Sequence, residues 1–283
     1  MLGASGKLAL TTRLKMSFRV PLLSVALPAS APIADAQRTP DTRVADLARA
    51  GGVRVALFPS FMYTKDPVSG ELRGVVIEIA RALGARLGLE VLLVEYPTPP
   101  KAVEGLKAGA SDVTFMGIDP TRSAAVDFSL PFMQADFTYL VPAGSSIRRV
   151  LDADQPGVCI AIVRNHAMDF ALKGILKHAE PVYAENPDAG FDLLRTRRAN
   201  VLAGIRPGLL EYAAQLPGSR VLEDCYGANA IAMAVPKGQG GWLAYVSEFI
   251  EEAKTSGLVQ RAIVRAGLRG VQAVPPGNPN ARK

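Results

Sequence analysis

Residues 116–132, MGIDPTRSAAVDFSLPF, hold the side chain best placed to do chemistry in this sequence, Arg122. Residues 112–115 read as the end of a strand, Asp119 as a helix N-cap and Pro120 as the first helical residue, so Arg122 falls in the first turn. The guanidinium and the unpaired backbone N–H groups of that turn then point the same way. A fixed two-pronged donor beside the positive end of a helix suits a carboxylate. The same spacing also allows Arg122 to pair with Asp119 or Asp127 at the surface. Other chemistry is sparse. Two histidines, His166 and His178, with no CxxC and no HExxH, argue against a zinc site, and no cofactor motif stands out. Cys159 and Cys225 are the two cysteines; one disulfide is open to them, while Cys159 lies within an apolar strand and reads equally as an ordinary buried residue.

The elements that must position Arg122 alternate between strand and helix patterns. Apolar strand-like runs occur at 53–58, 90–94, 113–115, 158–163, 201–203 and 231–235. Between them, Val76, Ile79, Ala80, Leu83 and Leu87 recur at helical spacing, Asn186-Pro187 opens a further helix, and Trp242, Val246, Phe249, Ile250 and Ala253 form one stripe stopped by Gly257. Such alternation predicts an α/β fold with mainly parallel sheets. Two extended segments break the pattern, 137–142 and 228–236. Each is apolar and ends in Val-Pro before small or flexible residues, like a matched pair of crossings between two lobes. On that reading 44–138 plus 230–272 make a discontinuous first lobe and 139–229 a second, followed by a tail at 273–283 with no means of burying itself, expected to be disordered.

Residues 1–36 differ from the rest. Lys7, Arg13, Lys15 and Arg19 precede an apolar run at 20–33 and the small-x-small pattern Ala34-Asp35-Ala36, which together predict a secretory signal peptide and an exported, periplasmic protein. The run is too short and too rich in proline to be a permanent span. Without this segment the chain keeps 28 basic residues (32 − 4) and 25 acidic ones (26 − 1), a net +3, so half of the whole-chain +6 is a targeting effect. The remaining basic residues are scattered, and nucleic acid is not an expected partner.

With these features together, the chain resembles the bacterial extracellular solute-binding proteins of family 3, the polar amino-acid-binding type. The residues carrying the resemblance are the opening strand with FPSF at 58–61, GELRGVVIE at 70–78, the Arg122 segment, and YGANAIAMAVPKG at 226–238. The resemblance implies a type II periplasmic binding fold: two α/β lobes, each a mainly parallel sheet flanked by helices, joined by two crossing strands and closing over a ligand. It also implies a monomer without enzymatic activity or cofactor that delivers its solute to the membrane permease of an ABC importer. Residue by residue, Phe58 falls where the family sets a ring against the ligand, Gly117 where a small polar residue contacts it, and Arg122 where its carboxylate is clamped. Asn165-His166-Ala167 stand at the family's Gly-Thr-Thr turn. The aspartate that pairs with an α-ammonium in amino-acid binders is replaced by Ile205, followed by Arg206, with Arg164 beside the turn. The expected ligand is therefore a carboxylate without a free α-ammonium, met by Arg122 and on closure by Arg164 or Arg206, unless Asp119, Glu78 or Glu211 supplies an anion. Two alternatives remain open: a cyclohexadienyl-dehydratase-like enzyme with His166 as its proton-transfer group, and a receptor for a membrane sensor.

Overall fold

The computed structural model describes residues 44–277 except Asn165. The expected signal peptide, 1–36, lies outside the described residues. The chain runs α1 (Ala45–Ala50), β1 (Gly52–Leu57), β2 (Thr64–Lys65), β3 (Leu72–Arg73), α2 (Val75–Leu87), β4 (Glu90–Glu95), α3 (Pro99–Lys107), β5 (Val113–Gly117), α4 (Pro120–Ala125), β6 (Val126–Phe128) and β7 (Met133–Val141). After a short 3-10 turn it continues through β8 (Cys159–Val163), α5 (Ala167–Lys173), β9 (Glu180–Ala184), α6 (Pro187–Arg195), β10 (Val201–Ile205), α7 (Arg206–Gln215) and β11 (Arg220–Val221). It closes with β12 (Gly227–Pro236), α8 (Gly240–Thr255), α9 (Leu258–Arg265) and β13 (Val271–Ala273).

All strands but the β2–β3 hairpin join one sheet with the order β4-β1-β5-β12-β7-β10-β8-β9. The wings are parallel: β1 with β4 and β5, and β8 with β9 and β10. Every antiparallel pairing of this sheet involves β7 or β12, the two crossing strands, which also pair with each other, Asn229 opposite Ala135. The parallel wings thus follow from the βα alternation, and the antiparallel centre from the two crossings. Strand β9 was not evident in the sequence because EPVYA is half-exposed and contains Pro181. It is the outermost strand, where a missing N–H costs no ladder bond.

The apolar residues fall into separate clusters. One gathers β1, α2, β5, α8 and α9 from residues 44–135 and 231–271, and two others lie within residues 139–222. Helix α2 shows why its sequence folds as it does: Val76, Ile79, Ala80 and Leu83 are all buried on one stripe, and Gly88 ends the helix in the left-handed conformation with its N–H on the carbonyls of Gly84 and Ala85.

Strand β5, which leads to Arg122, is buried along its whole length and pinned at its start. Arg54 holds the Asp112 carboxylate through Nε (3.0 Å) and Nη2 (2.6 Å), while Trp242 Nε1 of α8 donates to the Asp112 carbonyl at 2.8 Å. A two-pronged pair plus an indole bond fixes where the strand begins, and hence where it ends.

The end of the chain corrects one expectation. Ala273 belongs to β13, and Val274 is buried with its N–H on the Phe132 carbonyl at 2.9 Å, so the first tail residues continue the sheet edge on β7. Residues 278–283 lie outside the described residues.

Beside the crossings, the Tyr226 ring stacks on Phe137 and Tyr139, at 5.9 and 4.8 Å between centroids, and its buried hydroxyl has no hydrogen-bond partner among the described residues. Burial raises its pKa well above the usual tyrosine value, so it stays protonated. A buried unsatisfied hydroxyl costs about 1–3 kcal/mol. Tyr226→Phe is therefore expected to raise unfolding stability by about 1 kcal/mol in urea titrations, and a loss of stability would mean that the hydroxyl is bonded.

Candidate functional site

A cavity of about 450 Å³ lies where the C-terminal ends of β5 and β10 meet the two crossing strands, a volume suited to a small solute. Its wall is largely apolar. Phe58, Phe61 and Met62 come from the loop after β1, Phe137 from β7, and Ile205 and Leu209 from the end of β10 and the start of α7. The polar groups reaching it include Arg122, His166, Asn229, Glu211 and Tyr212.

Arg122 is positioned by short-range chemistry. Asp119 caps α4, its Oδ1 accepting from the Arg122 backbone N–H at 2.8 Å, and its Oδ2 receives Arg122 Nε at 2.9 Å. Nη1 donates to the Gly117 carbonyl at 2.8 Å. Among the described residues no hydrogen bond uses Nη2. The pairing with Asp119 and the place in the cavity wall, which stood as alternatives in the sequence, are both present: one carboxylate orients the guanidinium while part of it faces the cavity. Burial disfavours the charge of Arg122, and Asp119 opposes that effect.

His166 stands across from Arg122 at the start of α5. The ring is accessible from the cavity, yet the surrounding walls desolvate it; this and the charge of Arg122 hold it below its ordinary pKa of 6.5, against weaker opposite pulls from Asp119 and Asp169. The folded protein consequently binds fewer protons at His166 than the unfolded chain does between those two values. Its stability is full above pH 6.5 and declines as the pH falls from 6.5 towards the folded value. His166→Gln should flatten that part of the melting-temperature profile; an unchanged slope would show that His166 does not carry it.

Four of the anticipated positions, Phe58, Gly117, Arg122 and His166, meet at this cavity, and Asn165 lies outside the described residues. The two further arginines require correction. Arg164 is outside the wall, its guanidinium 4.4 Å over the Tyr183 ring of β9. Arg206 is buried and fully engaged elsewhere: Nε bonds Asp136 of β7 at 3.2 Å, and Nη2 bonds the Glu223 and Asp224 carbonyls at 2.9 and 3.3 Å. Nη1 donates to the Leu222 carbonyl at 2.5 Å. Gly270 crowds it so closely that a Cβ there would sit 2.2 Å from Arg206 Cδ. Arg206 is thus a fastener between α7, the β7 crossing and the segment before β12. Glu78 is likewise held away from the cavity by Arg265. Cys159 and Cys225 are both free.

Phe61, Met62 and Asn229 belong to the wall but were not singled out beforehand. Asn229 did carry a signal, as the one polar side chain in the apolar run ANAIAMAV.

The sequence profile of the bacterial extracellular solute-binding proteins, family 3, matches residues 53–265. The chain belongs to this family. As a family 3 solute-binding protein it is similar to the glutamine-binding protein GlnH of a Bacillus subtilis ABC transporter, 26% identical over 205 residues, covering 68% of this chain and 72% of GlnH. Among solved structures it is similar to an ancestral amino acid-binding protein described as a precursor of cyclohexadienyl dehydratase, 26% identical with a TM-score of 0.62, covering 78% of this chain and 97% of the other. The solute receptor for L-cysteine of Neisseria gonorrhoeae shares the fold at 24% identity and a TM-score of 0.63, over 79% and 92% of the two chains. The two-lobed type II architecture of such proteins is the architecture of this family 3 chain. Among the described residues no helix is long and apolar enough to cross a membrane.

Proposed function

We propose that this solute-binding protein captures a small carboxylate-bearing solute without a free α-ammonium and delivers it to the permease of an ABC importer. In this reading the protein is monomeric, residues 44–138 plus 230–272 and residues 139–229 are lobes closing over the cavity, and residues 1–36 direct export to the periplasm. The observation that carries the ligand class is the pairing of Arg122, oriented into an apolar cavity, with Ile205 at the end of β10. Ile205 packs against the first apolar cluster, and burying an ammonium against it without an anion would cost several kcal/mol.

A second reading has its own support. Glu211 of α7 reaches the same cavity and could meet an ammonium from another side, and the similar proteins named above include binders of amino acids. Three matched pairs separate the two: 3-phenylpropanoate and L-phenylalanine, succinate and L-aspartate, glutarate and L-glutamate. At least one acid is expected to raise the melting temperature by mass action while its amino partner does so less. Stabilisation by the amino acids instead would establish the second reading. Ile205→Asp is expected to shift preference towards the amino member of a pair. An unchanged preference in a folded variant would show that Ile205 does not face that end of the ligand.

Binding without turnover is supported by the similarity to GlnH and to the L-cysteine receptor, each named for the solute it binds. Release of phenylpyruvate from prephenate, or of phenylalanine from arogenate, would overturn the non-enzymatic reading.

A further inference from the structure

We infer that Asn229 is a ligand-binding and specificity-determining residue, its carboxamide standing where a side chain at position 117 would otherwise stand. This inference rests on the carboxylate reading above and adds the second group that holds that carboxylate.

A Cβ on Gly117 would lie 2.6 Å from Asn229 Oδ1, 2.7 Å from Nδ2 and 3.0 Å from Cγ. The amide therefore occupies the space over Gly117, and Gly117 is required for that close approach rather than for any unusual backbone angle. Strand pairing brings the two together. Ile231 of β12 is opposite Gly117 of β5, and the Ile118 N–H bonds the Ala230 carbonyl at 2.8 Å, so the residue just before Ala230 is carried to the end of β5. Both residues line the cavity.

Asn229 is an uncommitted polar group there, as are the Glu211 carboxylate and the His166 ring, and of the three it is the one that lies over Gly117. Among the described residues its amide makes no hydrogen bond, whereas Asn186 caps α6 and Asn200 accepts from the Cys159 N–H. Arg122 alone does not fill a carboxylate: with Nε on Asp119 and one Nη1 hydrogen on the Gly117 carbonyl, three of its five N–H donors remain for a ligand. A carboxylate offers about four acceptor sites. The Gly117 carbonyl that anchors Arg122 belongs to the residue Asn229 covers, so Nδ2 supplies a donor on the same side of the cavity. Moving the polar group from position 117 to a crossing strand also ties ligand contact to the strand that links the two wings of the sheet.

The test measures dissociation constants of the full chain for the three acids and their amino partners. Asn229→Ala is expected to weaken the best acid at least tenfold. Asn229→Asp, the same shape with an anion in place of the donor, should weaken it more and reduce the preference for acid over amino acid. Asn229→Ala combined with Gly117→Ser, which returns a hydroxyl to the vacated space, should recover part of the affinity. Gly117→Ser alone should weaken binding, because its Cβ crowds the amide. If the acids bind equally well to wild type, Asn229→Ala and Asn229→Asp, the inference is overturned while the carboxylate reading stands. A lower melting temperature of the ligand-free variants with unchanged dissociation constants would make Asn229 purely structural and overturn it too. If no acid binds wild type, the carboxylate reading itself fails and the inference falls with it.

Discussion

Arg122→Ala is expected to weaken binding of the preferred acid by about 2–5 kcal/mol, roughly 30-fold to several-thousand-fold, with little change in the melting temperature of the ligand-free protein. The size follows from where the guanidinium sits. It is partly desolvated in an apolar wall and already oriented by Asp119 and the Gly117 carbonyl, so a bound carboxylate pays little to order it. The small stability cost follows too: side-chain exposure is 32%, and Asp119 keeps its capping bond to the backbone N–H when the side chain is cut back. Arg122→Lys should retain part of the affinity, because a point charge without the planar fork cannot reach Asp119, Gly117 and the ligand together. Calorimetric titration reads the difference directly. An unchanged dissociation constant in Arg122→Ala would reduce Arg122 to the local partner of Asp119.

The largest expected effect on folding comes from Arg206→Ala, a loss of about 3–5 kcal/mol read by urea titration. Removing the guanidinium leaves the Asp136 carboxylate, 15% exposed, without its cation, and strips a donor from each of the Leu222, Glu223 and Asp224 carbonyls. A paired variant, Arg206→Met with Asp136→Leu, should recover only part of the loss. It removes the unpaired charge but leaves the Glu223 carbonyl without its bond and the Leu222 and Asp224 carbonyls with Thr138 Oγ1 alone. A change below about 1 kcal/mol in Arg206→Ala would mean that the fastener between α7 and the crossing segments is not formed in solution. The expected separation is clear: Arg122 acts on the ligand, Arg206 on the scaffold.

That contrast also marks what was legible in the sequence. Arg122 could be placed because its determinants are local. Asp119, Pro120 and the buried strand before them fix the turn within a few residues. The spacing of α2, the Asn186 cap of α6 and the two crossings were legible for the same reason, since each is a short-range pattern of apolar spacing or capping chemistry. Arg206 was misread because its partners, Asp136 and the carbonyls of 222–224, are distant in sequence. Nothing in Ile-Arg-Pro tells which way the side chain turns. Arg164 failed likewise, drawn over Tyr183 by the parallel pairing of β8 with β9, a strand whose proline concealed it. Val274 escaped notice because a single apolar residue before Pro-Pro-Gly gives no periodic signal, and its burial depends on reaching the Phe132 carbonyl. Asn229 was visible as a polar break in an apolar strand, but its relation to Gly117 exists only through the β5–β12 register.

The central claim is that the cavity takes a carboxylate held from the Arg122 side, with no place for an α-ammonium beside Ile205. The most direct measurement is calorimetric titration of the wild-type protein with the best-stabilising acid and then with its amino partner under identical conditions. A dissociation constant at least tenfold lower for the acid is the expected result. Equal or tighter binding of the amino acid would contradict it and place the ammonium on another group of the wall, with Glu211 the first to mutate.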